Sequence, residues 1–151
     1  MKIIQCVLFG TILLLPVMAD QASARSATAS TGRARLGSQD SCFSFSVTSG
    51  SVTSTCGADF IVPLTTDHSG TKAISFTSRL ADDDTPPACC RAVANDPYGT
   101  AYSASSFVYL PHSDSYQSQS TGSVSVPHMG VFFADCILSD GAKLDEFDYT
   151  D

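Results

Sequence analysis

Asp67-His68-Ser69 sets the three residue types of a hydrolytic triad side by side. A working triad needs its members to converge from separate segments, with the nucleophile on a strained turn. Three adjacent polar residues ahead of Gly70, with no G-x-S-x-G run anywhere, fit a hairpin turn instead. His112 and His128 each follow a proline, and His68 lies in that turn. Were the three to meet at one end of the molecule, an aspartate beside them would complete a metal site. No H-x-H or H-E-x-x-H spacing holds them to such a geometry, so solvated loop histidines are the expectation.

Asp82, Asp83 and Asp84 form the densest run of charge, and Asp96 follows in the next turn-rich stretch. Calcium takes several carboxylate and carbonyl oxygens from loops, which makes Asp82, Asp83 and Asp84 candidate ligands and calcium the candidate cofactor. The D-x-D-x-D-G pattern is missing, so the match is one of composition. Tyr98, Tyr102, Tyr109 and Tyr116 gather around Pro97 and Pro111. Tyrosine faces stack on sugar rings and neighbouring polar groups bond hydroxyls, so Tyr98, Tyr102, Tyr116 and Asp96 are candidate binding residues. The competing reading places these tyrosines in sheets or core. A carboxylate pair for glycoside hydrolysis cannot be singled out, because many acids would satisfy the spacing.

The elements that must carry these residues are strands. Phe43, Phe45 and Val47 alternate with polar residues, as do Ala58, Phe60, Val62 and Leu64, then Ile74 and Phe76, then Val124 and Val126. Ala88, Cys90, Ala92 and Ala94 make a small-residue face, and residues 107–110, 131–138 and 144–149 complete the set. Gly, Pro, Asp and Ser clusters lie between the runs, including residues 82–87, 95–99, 111–120 and 127–130. The expectation is an all-β fold, a single antiparallel β-sandwich of about eight short strands, stapled by disulfides.

Alternation also orients the cysteines. Cys90 and Cys136 are both in phase with core residues, which makes Cys90–Cys136 the best single pairing. Cys42–Cys56 would then close the first hairpin, although either could instead join Cys89. Cys89 shares the phase of Arg91 and Asn95, and is expected on the solvent face, free or linking two copies in a dimer.

Composition agrees with strands. Serine and threonine number 37 of 151 residues, Trp is absent and Glu occurs once, a bias that disfavours helical bundles. Residues 1–24 have the layout of a signal peptide: Lys2, an apolar run, Pro16, then small residues with cleavage points after Ala19 or Ala24. No other stretch reaches a membrane-spanning length. Export implies an oxidising compartment, hence disulfides rather than thiolate metal sites. Residues 25–40 carry three arginines and no acid before Asp40 amid Ser, Ala, Thr and Gly, and read as a flexible linker; residues 41–151 read as the sandwich domain. From Asp40 onward 14 acids face four bases, a net of −10. That balance argues against a nucleic-acid partner.

The run Cys90-Arg91-Ala92, the strand Phe107-Val108-Tyr109-Leu110-Pro111, then Val126-Pro127 and Gly130 ahead of Cys136 resemble a group of small exported proteins of myxobacteria and other Gram-negative bacteria. Pro63-Leu64 after Cys56 and the turn at residues 67–72 are similar to that group as well. The chain departs from it in Cys89 and in the Asp82-Asp83-Asp84 insertion. The resemblance implies export, a β fold and the Cys90–Cys136 bridge, and nothing about mechanism. The expected function is that of an exported, non-enzymatic module binding a carbohydrate or cell-envelope component through residues 81–87, 95–103 and 111–120. The alternatives are a structural or protein-interaction role and, behind it, a small secreted hydrolase using His112 or His128.

Overall fold

A computed structural model describes residues 24–80, 87–100 and 102–151. Residues 1–23, which hold nearly all of the expected signal peptide, and Asp82, Asp83 and Asp84 lie outside the described residues. In chain order the strands are β1 (Ala24–Thr28), β2 (Arg33–Ala34), β3 (Phe43–Phe45), β4 (Val52–Ser54), β5 (Ala58–Leu64), β6 (Gly70–Lys72) and β7 (Ile74–Leu80). There follow β8 (Cys89–Asn95), β9 (Tyr102–Ala104), β10 (Val108–Tyr109), β11 (Ser113–Ser120), β12 (Val124–Val126), β13 (Val131–Leu138) and β14 (Lys143–Thr150). Among the described residues, short 3-10 segments at Ala29–Thr31 and Gly37–Cys42 interrupt them.

Two antiparallel sheets form the sandwich. One has the order β11-β7-β14-β4-β3, with β1 also on β14; the other runs β10-β8-β13-β5-β2, with β9 also on β8. A small ribbon pairs β12 with β6. The all-β sandwich is as expected, but the described residues form 14 strands rather than about eight. The serine-rich stretch expected as a loop at 111–120 contains β11, an eight-residue strand that borders its sheet. Its residues are polar on both faces, so no alternation marks it.

Inward residues follow the alternation. Phe60, Val62, Ile74, Phe76, Leu138, Leu144 and Phe147 are fully buried, and Cys90, Ala92 and Ala94 present their small side chains to the same core. Small residues on one sheet leave room for the rings of the other, where Phe76 and Phe147 lie 6.0 Å apart. Phe132 meets Tyr149 edge-on across the sandwich. The alternation expected at Phe43, Phe45 and Val47 fails early, since β3 ends at Phe45 and Val47 is exposed.

Both expected bridges are present, Cys42–Cys56 and Cys90–Cys136. Cys90 and Cys136 are direct cross-strand partners on β8 and β13. Cys89 is free but only 7% exposed, contrary to the solvent face expected for it. The reason is position: β8 runs inside its sheet, between β13 and the pair β9 and β10, and both Cys89 and Val93 on its outward face are buried.

The stretch 25–40 is likewise part of the fold rather than a linker. β1 pairs with β14 from Ala24–Thr150 to Thr28–Glu146, and β2 pairs with β5. Ala29 has no exposed surface. Two of the three arginines in this stretch ion-pair with the acidic body. Arg25 meets Asp67 and Asp151, while Arg35 meets Asp59 and Asp135.

Candidate functional site

One end of the sandwich is formed by the β8–β9 turn, the β12–β13 turn and the segment between β5 and β6. Register places them together: Asn95 pairs with both Tyr102 and Val131, and Leu64 pairs with Phe132. Asp96 organises the first turn. Its carboxylate accepts hydrogen bonds from the Thr100 N–H at 2.6 Å and from the Thr100 hydroxyl, and Gly99 takes the left-handed conformation at φ 70°. Asp96 therefore acts within the turn, and what the turn presents to solvent is Tyr98, 86% exposed, with Tyr102, 61% exposed, where β9 begins.

The second turn is held against the first by close packing. A Cβ on Gly130 would fall 2.6 Å from the Asn95 carbonyl oxygen and 2.7 Å from the Pro127 ring, so only glycine fits. Met129 sits in the left-handed region at φ 59° and is largely exposed. A non-glycine residue held there is uncommon, and such strain gathers at functional sites. Two shallow depressions meet at Pro127. One, of about 190 Å3, is lined by Tyr102, Ser103, Ser125 and Pro127. The other, of about 130 Å3, is lined by His68, His128 and Met129 among others. Beneath the turn, Asn95 Oδ1 is buried and makes no hydrogen bond.

The 65–69 segment is anchored by Asp151, which follows β14. The Asp151 carboxylate accepts from the backbone N–H groups of Asp67 and His68 and from the Lys72 ammonium at 3.2 Å, with the Arg25 guanidinium 2.9 Å away. Burial alone would raise its pKa, but the hydrogen bonds from Asp67, Lys72, Thr66 and His68 outweigh it and hold the carboxyl far below the usual range.

Of the candidate residues, the structure brings Tyr98, Tyr102 and Asp96 onto one hairpin. Tyr116 stands apart, on β11 of the other sheet, in the bulged stretch between Ser113 and Gln117 near Leu80. Tyr109 is exposed on β10, opposite Cys89. His68 and His128 share a depression, whereas His112 bridges Leu80 at the far end of β7, so the three histidines do not converge. Among the described residues no group of three or more His, Cys, Asp or Glu side chains is placed to hold a metal. Asp67, offered as a triad member, directs its carboxylate to Arg25. Ser103 lies in the stretch 95–103 expected to make contacts, whereas Ser125 and Met129 were not expected there and Pro127 entered only as a turn residue and in the resemblance.

Solved structures share this architecture. The chain is similar to the C-terminal CBM6 of LamC, a marine laminarinase from Zobellia galactanivorans, at a TM-score of 0.55 and 14% identity, covering 85% of this chain and 100% of that one. It is similar to the carbohydrate-binding module CBM6cm-2 of Cellvibrio mixtus lichenase 5A, solved with cellotriose, at a TM-score of 0.51 and 14% identity, covering 84% and 96%. The Podospora anserina GH26-CBM35 β-(1,4)-mannanase matches at 0.55 and 14% identity, over 86% of this chain and 28% of that one. At this identity the likeness is one of fold. No family model matches the chain. No curated protein matches it either.

Proposed function

We propose that the chain is an exported, non-enzymatic module that binds a carbohydrate, free or in a cell envelope. The contact surface is the end carrying Tyr98, Tyr102, Pro127 and Met129. The observation that carries this reading is the pair of exposed tyrosines on a turn fixed by Asp96, beside a depression walled by Ser103 and Ser125. Rings held on a rigid hairpin stack on a sugar face with little ordering cost, and serine hydroxyls bond its hydroxyls. The fold shared with carbohydrate-binding modules, one of them solved with cellotriose, supports the same reading. Two disulfides support an oxidising compartment. No helix of the described residues is long and apolar enough to cross a membrane.

The test is binding of the folded domain to a glycan and cell-envelope array, with and without calcium. A hit weakened about tenfold or more by Tyr102→Ala, and further by Tyr98→Ala, is the expected result. Calcium dependence of that hit would bring in Asp82, Asp83 and Asp84. A blank array with well-folded protein would overturn the reading in favour of a structural or protein-partner role.

A further inference from the structure

The two outward faces of the sandwich differ in kind. On the sheet centred on β14 the outward residues are polar: Ser75, Thr77 and Arg79 on β7, and Glu146, Asp148 and Thr150 on β14. On the sheet centred on β13 they are largely apolar. Val131 and Ile137 on β13 are 53% and 44% exposed, Phe133 between them is half-buried, and Pro63 on β5 lies beside Phe133. Tyr102 and Tyr109, both exposed, extend this face beyond β8, where they pair with Asn95 and Cys89. Apolar side chains gathered across one sheet mark an interaction surface, unlike the same residues scattered singly.

Charge says what can cover it. The charged groups within the face close on one another: Arg91 reaches Asp135 at 2.9 Å, and Arg35 is shared between Asp135 and Asp59. Arg91 also lies 4.4 Å over the Phe107 ring. Beyond them Arg33 stands exposed on the border strand β2. The chain as a whole carries −7. Two copies repel over most of their surface, and this face lets them meet with its carboxylates already neutralised.

Size agrees. With strands about 4.8 Å apart and about 3.3 Å per residue, the sheet covers on the order of 450 Å2 in projection, and side-chain relief adds to that. Two such faces bury on the order of 1,000 Å2 together, the lower bound for a specific, transient interface. We infer that the chain forms a weak, non-covalent two-fold dimer through this face, with β13 of each copy at the axis. Sheets stacked this way lie about 10 Å apart and aligned within about 30°, and an identical patch on both sides closes the assembly at two copies.

The experiment is sedimentation velocity of the intact, disulfide-bonded protein from about 1 μM to about 1 mM. The expected result is monomer at the low end and dimer at the high end, with a Kd on the order of 0.1 mM. Ile137→Glu and Val131→Glu, at exposed positions, each bring like charges together across the axis and raise that Kd about tenfold or more. Ser118→Glu, exposed on β11 of the other sheet, leaves it unchanged. Melting temperatures show that each variant is folded; should Ile137→Glu fail to fold, Val131→Glu decides. A monomer at every concentration would overturn the proposal, as would a dimer indifferent to both β13 substitutions. A monomer that instead sediments with insoluble glucan, and ceases to in Ile137→Glu, would give the face to a polysaccharide. Tyr98→Ala leaves the dimer intact, so this inference and the glycan reading stand or fall separately.

Discussion

Cys89 and Cys90 are neighbours in sequence with opposite chemistry. Cys90 points into the core and is bonded to Cys136; Cys89 points outward and is still covered. Burial raises the Cys89 thiol's pKa, a lesser hydrogen bond at Ile137 working against it. A buried thiol of raised pKa is a poor nucleophile, so Cys89 in the folded protein reacts with Ellman's reagent only as fast as the protein opens. A rapid stoichiometric reaction in native buffer, or a reducible dimer on a non-reducing gel, would show the thiol to be accessible. Asp151 gives a pH-dependent counterpart. Its carboxyl titrates well below the roughly 3.9 of an unfolded aspartate. The stabilisation is therefore present in full above about pH 4 and is lost as pH falls through the depressed folded value. Asp151→Asn lowers the urea midpoint at pH 7, and the gap to the parent narrows in acid below about pH 4. A gap that does not change with pH would place the effect elsewhere than in the carboxylate.

At the scale of elements, strands buried on one face were legible and those lacking an apolar face were not. Ala58, Phe60, Val62 and Leu64 alternate with exposed or half-buried residues and form β5 as expected. β11 has the same extended backbone, but Ser113, Ser115, Gln117 and Gln119 offer no contrast with their neighbours, so only its pairing with β7 reveals it. β1 was hidden in a different way. Arg25 and Arg35 looked like the charges of a solvated tether because their partners lie on distant segments, Asp67 and Asp151 for Arg25 and Asp59 and Asp135 for Arg35. Asp135 shows the same blindness. It is an acid in the middle of β13, 1% exposed, held by Arg35 and by Arg91 at 2.9 Å. The candidate site divides likewise: Tyr98 and Tyr102 could be read from one hairpin, whereas Met129 and Ser125 join them only through tertiary packing. If β1 is an integral strand, deleting residues 24–31 removes its ladder and the buried Ala29, and bares an edge of β14. The expected outcome is a melting temperature lower by on the order of 10 °C and light scattering on heating from the freed edge. An unchanged melt would mean that β1 contributes nothing to the sandwich.

For the molecule as a whole, the two disulfides occupy unequal places. Cys42–Cys56 spans 14 residues and braces β3, the border strand of its sheet. Cys90–Cys136 spans 46 residues and joins β8 to β13, both interior strands whose inward faces line the core between the sheets. Chain entropy favours the longer loop by roughly 1 kcal/mol, the cost of closure growing with the logarithm of loop length. Packing adds to that difference. Removing the inner bridge leaves two small side chains in a region with no exposed surface, beside Ala92 and Ala134, where little can move in to fill the space. Removing the outer one loosens a strand whose last residue, Phe45, is already exposed. The Cys90→Ala/Cys136→Ala variant accordingly loses about 3–5 kcal/mol, and Cys42→Ala/Cys56→Ala about 2–3 kcal/mol. Urea midpoints under non-reducing conditions compare the two directly. The reverse order would mean that the border β3–β4 hairpin, rather than the β8–β13 pair, sets the stability of the sandwich. In that case the stiff scaffold proposed to present Tyr98 and Tyr102 would have to be sought in the other sheet, because both tyrosines belong to the hairpin that continues β8.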